Sequence, residues 1–299
     1  MNWQIFIRSS IFLVLIIAVS DASAATWRFV NVIANKPWCE FKMPLNLYLR
    51  SADFLREVGY DNAGCVHAIE ISGTITIDDI GRLDSLSSFY RSNSEIDRPF
   101  SIDLDSPGGS VSAALAIAAE MRDSDSPLYQ MGTFVGQRKQ CLSSCTLILA
   151  AGFQRTVIGR VGIHRPRFLP GEFERMGYES LQAAYEGLYE QLSTFFRGAN
   201  IHPSFIDAMW AVPSSDIRYL TDADLSFFRL KGTDLIRQEE QTLKLIRACG
   251  ESGPGLQRNF MSLIKERCTE PNGKVDSECF ASALETHPYG ACYKRMYGN

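Results

Sequence analysis

The chain reads as an α/β protein with a largely parallel sheet, carrying a small cysteine-rich appendage at its C-terminal end. Two observations predict this. Between residues 66 and 235, short runs with strand character alternate with apolar stretches at helical spacing. From residue 236 onward, four of the eight cysteines gather among Gly, Pro, Asn and charged residues. Strands that are each followed by a helix need crossover connections, and crossovers make neighbouring strands parallel with helices against the sheet.

In chain order, residues 1–24 come first. Arg8 precedes the apolar run Ile11 to Val19, which is too short to span a bilayer, and Asp21 interrupts it before Ala22-Ser23-Ala24. A basic start, a short apolar run and small residues before a cut predict a signal peptide cleaved after Ala24. The mature chain is then expected in the periplasm or secreted, with no membrane association. Residues 25–65 mix aromatics, Pro37, Cys39 and Cys65 without clear periodicity, and read as an irregular N-terminal segment with room for one strand.

The pattern sharpens from His67. Alternation through Ala68, Ile69, Glu70 and Ile71 predicts a strand, and Ile80, Leu83, Leu86 and Tyr90 after Asp78-Asp79 predict a helix with an acidic first turn. A second strand through Phe100, Ile102 and Leu104 ends at Asp105-Ser106-Pro107-Gly108-Gly109 and passes into a helix over Val111 to Arg122. A strand over Leu128 to Val135 leads to a short apolar helix over Ser143 to Ala151, then to strands near Arg155–Ile158 and Val161–His164. Beyond His164, Leu181, Ala184, Tyr185, Leu188 and Leu192 repeat at helical spacing, Pro203 suits a helix start, and Thr221 with Asp224 has the form of a capping box. Residues 236–299 read as a helical, disulfide-rich region.

Composition excludes several functions. A formal charge of −4 and a pI near 5.7 leave no basic footprint for nucleic acid. The histidines His67, His164, His202 and His287 are scattered and no cysteine pair has zinc-type spacing, so neither a metal nor another cofactor is expected. The even set Cys39, Cys65, Cys141, Cys145, Cys249, Cys268, Cys279 and Cys292 reads as disulfides. Their pairing is open, with neighbours inside each of the early, middle and late groups as the simplest guess. Thiol redox chemistry at Cys141 and Cys145 has little support, because their spacing is not CxxC.

The chemistry gathers at three places. Gly108-Gly109 follows a strand and opens a helix, leaving bare amides. GxGxxG spacing and a Walker lysine are absent, so an oxyanion is a better guest than a nucleotide phosphate. Ser143 and Ser144 stand at the head of an apolar helix, where either could simply be an N-cap. His164 ends a strand after Gly162 and could reach that helix start.

Taken together, SPGG at Ser106–Gly109, the helix closing in Ala150-Ala151-Gly152 and IHRP at Ile163–Pro166 resemble the proteolytic subunit of Clp-type serine peptidases. They also resemble the wider Clp and crotonase superfamily and its exported members. The likeness covers about residues 66 to 230. It implies stacked ββα units, Ser143 as nucleophile, His164 as general base, and Gly108 or Gly109 with Ser144 as oxyanion donors. It also implies self-association and a peptide or unfolded protein substrate. An exported chain meets no ATP, so no ATP-driven unfoldase is expected. Two departures stand out: the acidic member falls near Pro213 and Ser214, leaving Asp216 as the nearest carboxylate, and a family glycine is replaced by Cys145. A non-catalytic binding or assembly module that keeps the fold is the alternative.

Overall fold

In the computed structural model the described residues are 24–31, 42–50, 67–93, 100–168, 174–269 and 275–297. Residues 1–23, where the sequence predicts a signal peptide, and Cys39 and Cys65 lie outside them. The strands are β1 (Thr26–Asn31), β2 (Lys42–Pro44), β3 (His67–Ser72), β4 (Ser101–Asp105), β5 (Gly132–Val135), β6 (Gln140–Leu142), β7 (Gln154–Val157), β8 (Arg160–Ile163), β9 (Arg218–Tyr219) and β10 (Gly232–Thr233). The larger sheet runs β10-β7-β5-β4-β3-β1-β2 and the smaller β6-β8-β9. Pairing is parallel across β3, β4, β5 and β7, and antiparallel where β1, β2 and β10 extend the edges.

The helices of the main body are α1 (Leu45–Tyr48), α2 (Asp78–Ser92), α3 (Val111–Glu120), α4 (Cys145–Ala151), α5 (Tyr178–Gly198), α6 (Ser204–Trp210) and α7 (Asp222–Phe227). Each of β3, β4, β5 and β7 lies in the large sheet, then turns into a second extended piece before its helix. The second pieces pair among themselves: Ile75 bridges Gly109, Ser106 bridges Cys141, and β6 pairs with β8. This is the stacked ββα arrangement, and it brings the SPGG turn, the start of α4 and the end of β8 side by side.

Apolar residues of the parallel strands make the core. Ile69, Ile71, Ile102 and Leu104 are fully buried and pack with Leu86, Ala114 and Ile117. Alanines on α3 let it approach α4, every residue of which is buried. Segment 25–65 is more regular than its composition indicates. It contributes β1, β2 and α1, with Trp27 and Phe29 buried and Arg28 on the alternate face. Asp79 does more than complement a helix dipole: fully buried, it accepts from Trp27 Nε1 (2.8 Å) and Thr76 N (2.7 Å).

Two buried ionic clusters brace the frame. Glu70 and Asp103 are register partners on β3 and β4, and Lys139 Nζ reaches both, at 2.8 and 2.5 Å. Burial, with Glu70's negative charge nearby, pushes the Asp103 carboxyl up despite Lys139. Burial also works against the Glu70 charge, but the hydrogen bond and charge of Lys139, with Lys42 behind it, hold that carboxyl low. In the second cluster, fully buried Asp234 accepts from Arg122 (2.9 Å) and Arg155 (3.3 Å) and caps the helix that follows through Ile236 N (3.2 Å). Burial, only partly offset by Asp234, lowers the Arg155 guanidinium to about 10.

That following helix opens the C-terminal region: α8 (Leu235–Cys249), α9 (Gly253–Leu263) running into a π-turn segment, α10 (Ser277–Thr286) and α11 (Tyr289–Tyr297). Its own small core gathers Leu245, Phe260, Ile264 and Tyr289. Cys268 pairs with Cys279 and Cys249 with Cys292, so the bridges are nested rather than joining neighbours throughout. The reason is geometric: α8 and α11 pack against each other, which brings the outer cysteines of the tail together. Among the described residues no helix is long and apolar enough to cross a membrane.

Candidate active site

Ser143 is the turning point between β6 and α4. Its φ is +55°, the left-handed region that costs an L-residue roughly 1–2 kcal/mol. Gln130, Arg138, Asn200 and Arg229 share a positive φ. At Ser143 buried elements fix both sides. Its N–H donates to Gly162 O (2.9 Å), and its carbonyl accepts from Thr146 N (3.0 Å) and Thr146 Oγ1 (2.7 Å). The Cys141–Cys145 disulfide closes the same loop, with both cysteines fully buried.

The SPGG turn is stitched to this elbow. Ser106 N donates to Gln140 O (2.7 Å) and Leu142 N to Ser106 O (3.0 Å). Gly108 has φ +97°, and a β-carbon there would stand 2.7 Å from both Leu142 O and Ser143 Cβ and 3.2 Å from Ser144 N. Only glycine permits that approach. Gly109 is pressed as closely on Ile75, whose carbonyl oxygen would lie 2.1 Å from an added β-carbon. The amides divide into used and unused: Gly108 N donates to Ser106 Oγ (3.0 Å), while Gly109 N and Ser144 N have no acceptor among the described residues.

His164 leaves the end of β8. Leu142 and Gly162 are register partners on parallel strands, so Ser143 and His164 emerge from neighbouring strands at the same end. Both side chains are half-buried and line one small cleft with Ser144 and Thr146. Its walls are apolar: Val111, Leu147, Leu192, Met209 and Pro166. No hydrogen bond joins Ser143 Oγ to the imidazole directly. His164 Nδ1 is 2.8 Å from Arg165 O. A carbonyl can only accept, so Nδ1 carries a proton, and in the neutral ring Nε2 presents the lone pair. That is the tautomer a general base needs.

Asp216 is not brought to the imidazole. Its carboxylate is exposed and accepts from Ile217 N (2.8 Å), and its own N–H closes a turn on Pro213 O (3.0 Å). Arg165 N donates to Val212 O (3.0 Å), so the segment where the family resemblance puts its acid does pass beside the histidine, but it carries no carboxylate there. The Arg165 carbonyl accepts the hydrogen bond from Nδ1–H instead, a backbone contact with no sequence signal. Of the other histidines, His202 bonds Ser204 Oγ near a helix start (2.8 Å), while His287 Nδ1 accepts from Tyr289 N (3.1 Å). Among the described residues no group of His, Cys, Asp or Glu could hold a metal ion.

No family model matches the sequence, and no curated protein matches it. Several solved structures show partial similarity to the chain. A ClpP1 mutant from Listeria monocytogenes has a TM-score of 0.43 and 15% identity, over 60% of this chain and 93% of that one. A mutant of the 1510-N membrane-bound stomatin-specific protease has a TM-score of 0.37 and 12% identity, over 55% and 75%. An enoyl-CoA hydratase/isomerase from Marinobacter aquaeolei has a TM-score of 0.32 and 11% identity, over 75% and 90%. These similarities assign no residue a role.

Proposed function

We propose that this chain is an exported serine hydrolase, an ATP-independent endopeptidase acting on peptides or unfolded segments through Ser143 and His164. The observation that carries the reading is a serine held in left-handed backbone at the head of a buried helix, sharing an apolar cleft with an imidazole whose Nδ1 is committed to a carbonyl. His164 Nε2 takes the Ser143 proton as Oγ bonds to the substrate carbonyl carbon. The unused amides of Gly109 and Ser144 receive the oxyanion. Collapse of the tetrahedral adduct breaks the C–N bond, and the imidazolium gives its proton to the leaving amine. Water, deprotonated by the same imidazole, then releases the acid and frees Ser143. Without a carboxylate on Nδ1 the site works as a dyad, with His164 Nε2 as its base.

A fluorophosphonate probe tests this directly. Labelling at Ser143 in the folded chain at neutral pH, lost in Ser143→Ala, is the expected result. Absence of labelling in the wild-type chain refutes it and favours the rival reading, a binding or assembly module. The missing Ser143–His164 hydrogen bond is the observation on the rival's side, although such bonds often tighten only when substrate arrives.

The disulfides among the described residues support an oxidising compartment and, with the N-terminal sequence, export by cleavage after Ala24. Sequencing the exported chain checks the cut, which should leave Ala25 first. Self-association belongs to the same reading. The N-terminal half of α5 has no fully buried residue, with Tyr178 81% exposed, and is the surface offered for it.

A further inference from the structure

Ser144 occupies the N-cap position of α4, yet its side chain caps nothing: no amide of the first turn donates to it. Its Oγ is buried and has no hydrogen-bond partner, although the residue as a whole lines the cleft beside Ser143 and is 5% exposed. Real caps in the same chain behave differently. Ser110 Oγ accepts from Ala113 N (3.2 Å), and an Asp276 carboxylate oxygen accepts from Cys279 N (2.7 Å). A hydroxyl sealed away without a partner weakens the fold, so its presence calls for an explanation outside the folded chain itself. Its neighbours narrow the choice. The cleft beside it is lined by apolar side chains together with Ser143, Thr146 and His164, none of which bonds its Oγ, and its own N–H is unused. A polar group arriving with a ligand would satisfy it.

We propose that Ser144 Oγ–H is a third oxyanion donor, acting alongside its own N–H and that of Gly109. The proposal rests on the serine-hydrolase reading and adds a catalytic residue to it. A side-chain hydroxyl one residue after the nucleophile reaches the same developing charge as the backbone amide of that residue. It also turns by rotation about a single bond, so it can stay buried until a substrate oxygen enters. Charge that appears only in the transition state then satisfies it, which is the condition for accelerating the chemical step rather than tightening substrate binding.

The experiment compares wild-type chain, Ser144→Ala and Asp276→Ala by fluorophosphonate labelling rate, with the labelled residue mapped by mass spectrometry, and by thermal unfolding. Ser144→Ala is expected to remain labelled at Ser143 but to react about 10²- to 10³-fold more slowly, as for loss of one oxyanion donor. Its Tm should be unchanged or higher. Asp276→Ala, which removes a true cap far from the cleft, should lower Tm and leave the labelling rate alone. A Ser144→Ala chain that reacts at the wild-type rate overturns the proposal. So does one whose Tm falls, since that marks a structural hydroxyl, or a wild-type chain labelled on Ser144 itself. A wild-type chain silent toward the probe is the separate failure of the hydrolase reading, and the Tm comparison still decides whether the hydroxyl is structural.

Discussion

The fit between the SPGG turn and the elbow can be broken with one methyl group. In Gly108→Ala the new β-carbon would sit 2.7 Å from Leu142 O and Ser143 Cβ, against the 3.4 Å at which ordinary contact begins, so the elbow must retreat by about 0.7 Å. Two costs follow: roughly 1–2 kcal/mol for a side chain at positive φ, and about 1–3 kcal/mol for overpacking against backbone. Gly232→Ala separates them. Gly232 has φ +100° but nothing within 4 Å of an added β-carbon, so it carries the backbone cost alone. Any loss of unfolded-chain entropy is common to both and cancels in the comparison. Urea denaturation should therefore place Gly108→Ala below Gly232→Ala by about 1–3 kcal/mol. The functional contrast should be larger. A displacement near an ångström at a reacting group costs about 100-fold, so fluorophosphonate labelling of Ser143 should collapse in Gly108→Ala and persist in Gly232→Ala. Equal labelling of the two variants would show that the close approach of Gly108 does not set the position of Ser143.

Removing the bridge with Cys141→Ala and Cys145→Ala should cost only about 2 kcal/mol, because so short a loop gains little from closure, yet it should slow labelling of Ser143. Removing the Cys268–Cys279 bridge should leave that rate unchanged; paired unfolding and labelling measurements check both. Asp234→Ala strands buried Arg155 and strips a helix cap, which together should cost about 4–6 kcal/mol in a denaturation curve. Lys139→Met leaves Glu70 and Asp103 facing each other and should cost about 3–5 kcal/mol at neutral pH. The sign with pH follows from Glu70: its carboxyl is held low, so the stability it contributes exists above the unfolded value and is lost as pH falls through the folded one. The variant lacks most of that contribution and gains by protonating both carboxyls, so the gap should close toward acid pH. A gap that widens there would refute the pairing.

What the sequence made legible is whatever periodicity or turn chemistry writes locally. Leu83, Leu86 and Tyr90 are buried on α2 as their spacing requires, α4 is the short apolar helix its composition describes, and Thr221 with Asp224 forms a reciprocal capping box. Pairing decided in three dimensions stayed hidden. The antiparallel addition of β1 and β2 depends on strands far along the chain, and the nested tail bridges depend on how α8 meets α11. Trp27 gives Asp79 its role across 52 residues. The approach of Gly108 to Ser143 was legible only as two glycines after a strand. That Gly108 N is already taken by Ser106 Oγ, leaving Gly109 N unused, needed atoms.

The replacement of an acid by the Arg165 carbonyl bears on what kind of hydrolase the proposed dyad makes. A third triad member has two tasks: it fixes the imidazole tautomer, and its charge stabilises the imidazolium that forms in the transition state. The carbonyl performs the first fully, since it cannot donate and so keeps the proton on Nδ1. It performs the second weakly, because a dipole without net charge interacts less with a cation than a carboxylate does. The elbow compensates on the other side of the reaction. Stabilising the oxyanion lowers the same barrier as stabilising the imidazolium, and three donors at Gly109 and Ser144 put the emphasis there. Such a site needs its donors fixed more than it needs its base perturbed. Strained backbone at Ser143, a closed disulfide loop around it and a glycine pressed against its β-carbon are features that fix them.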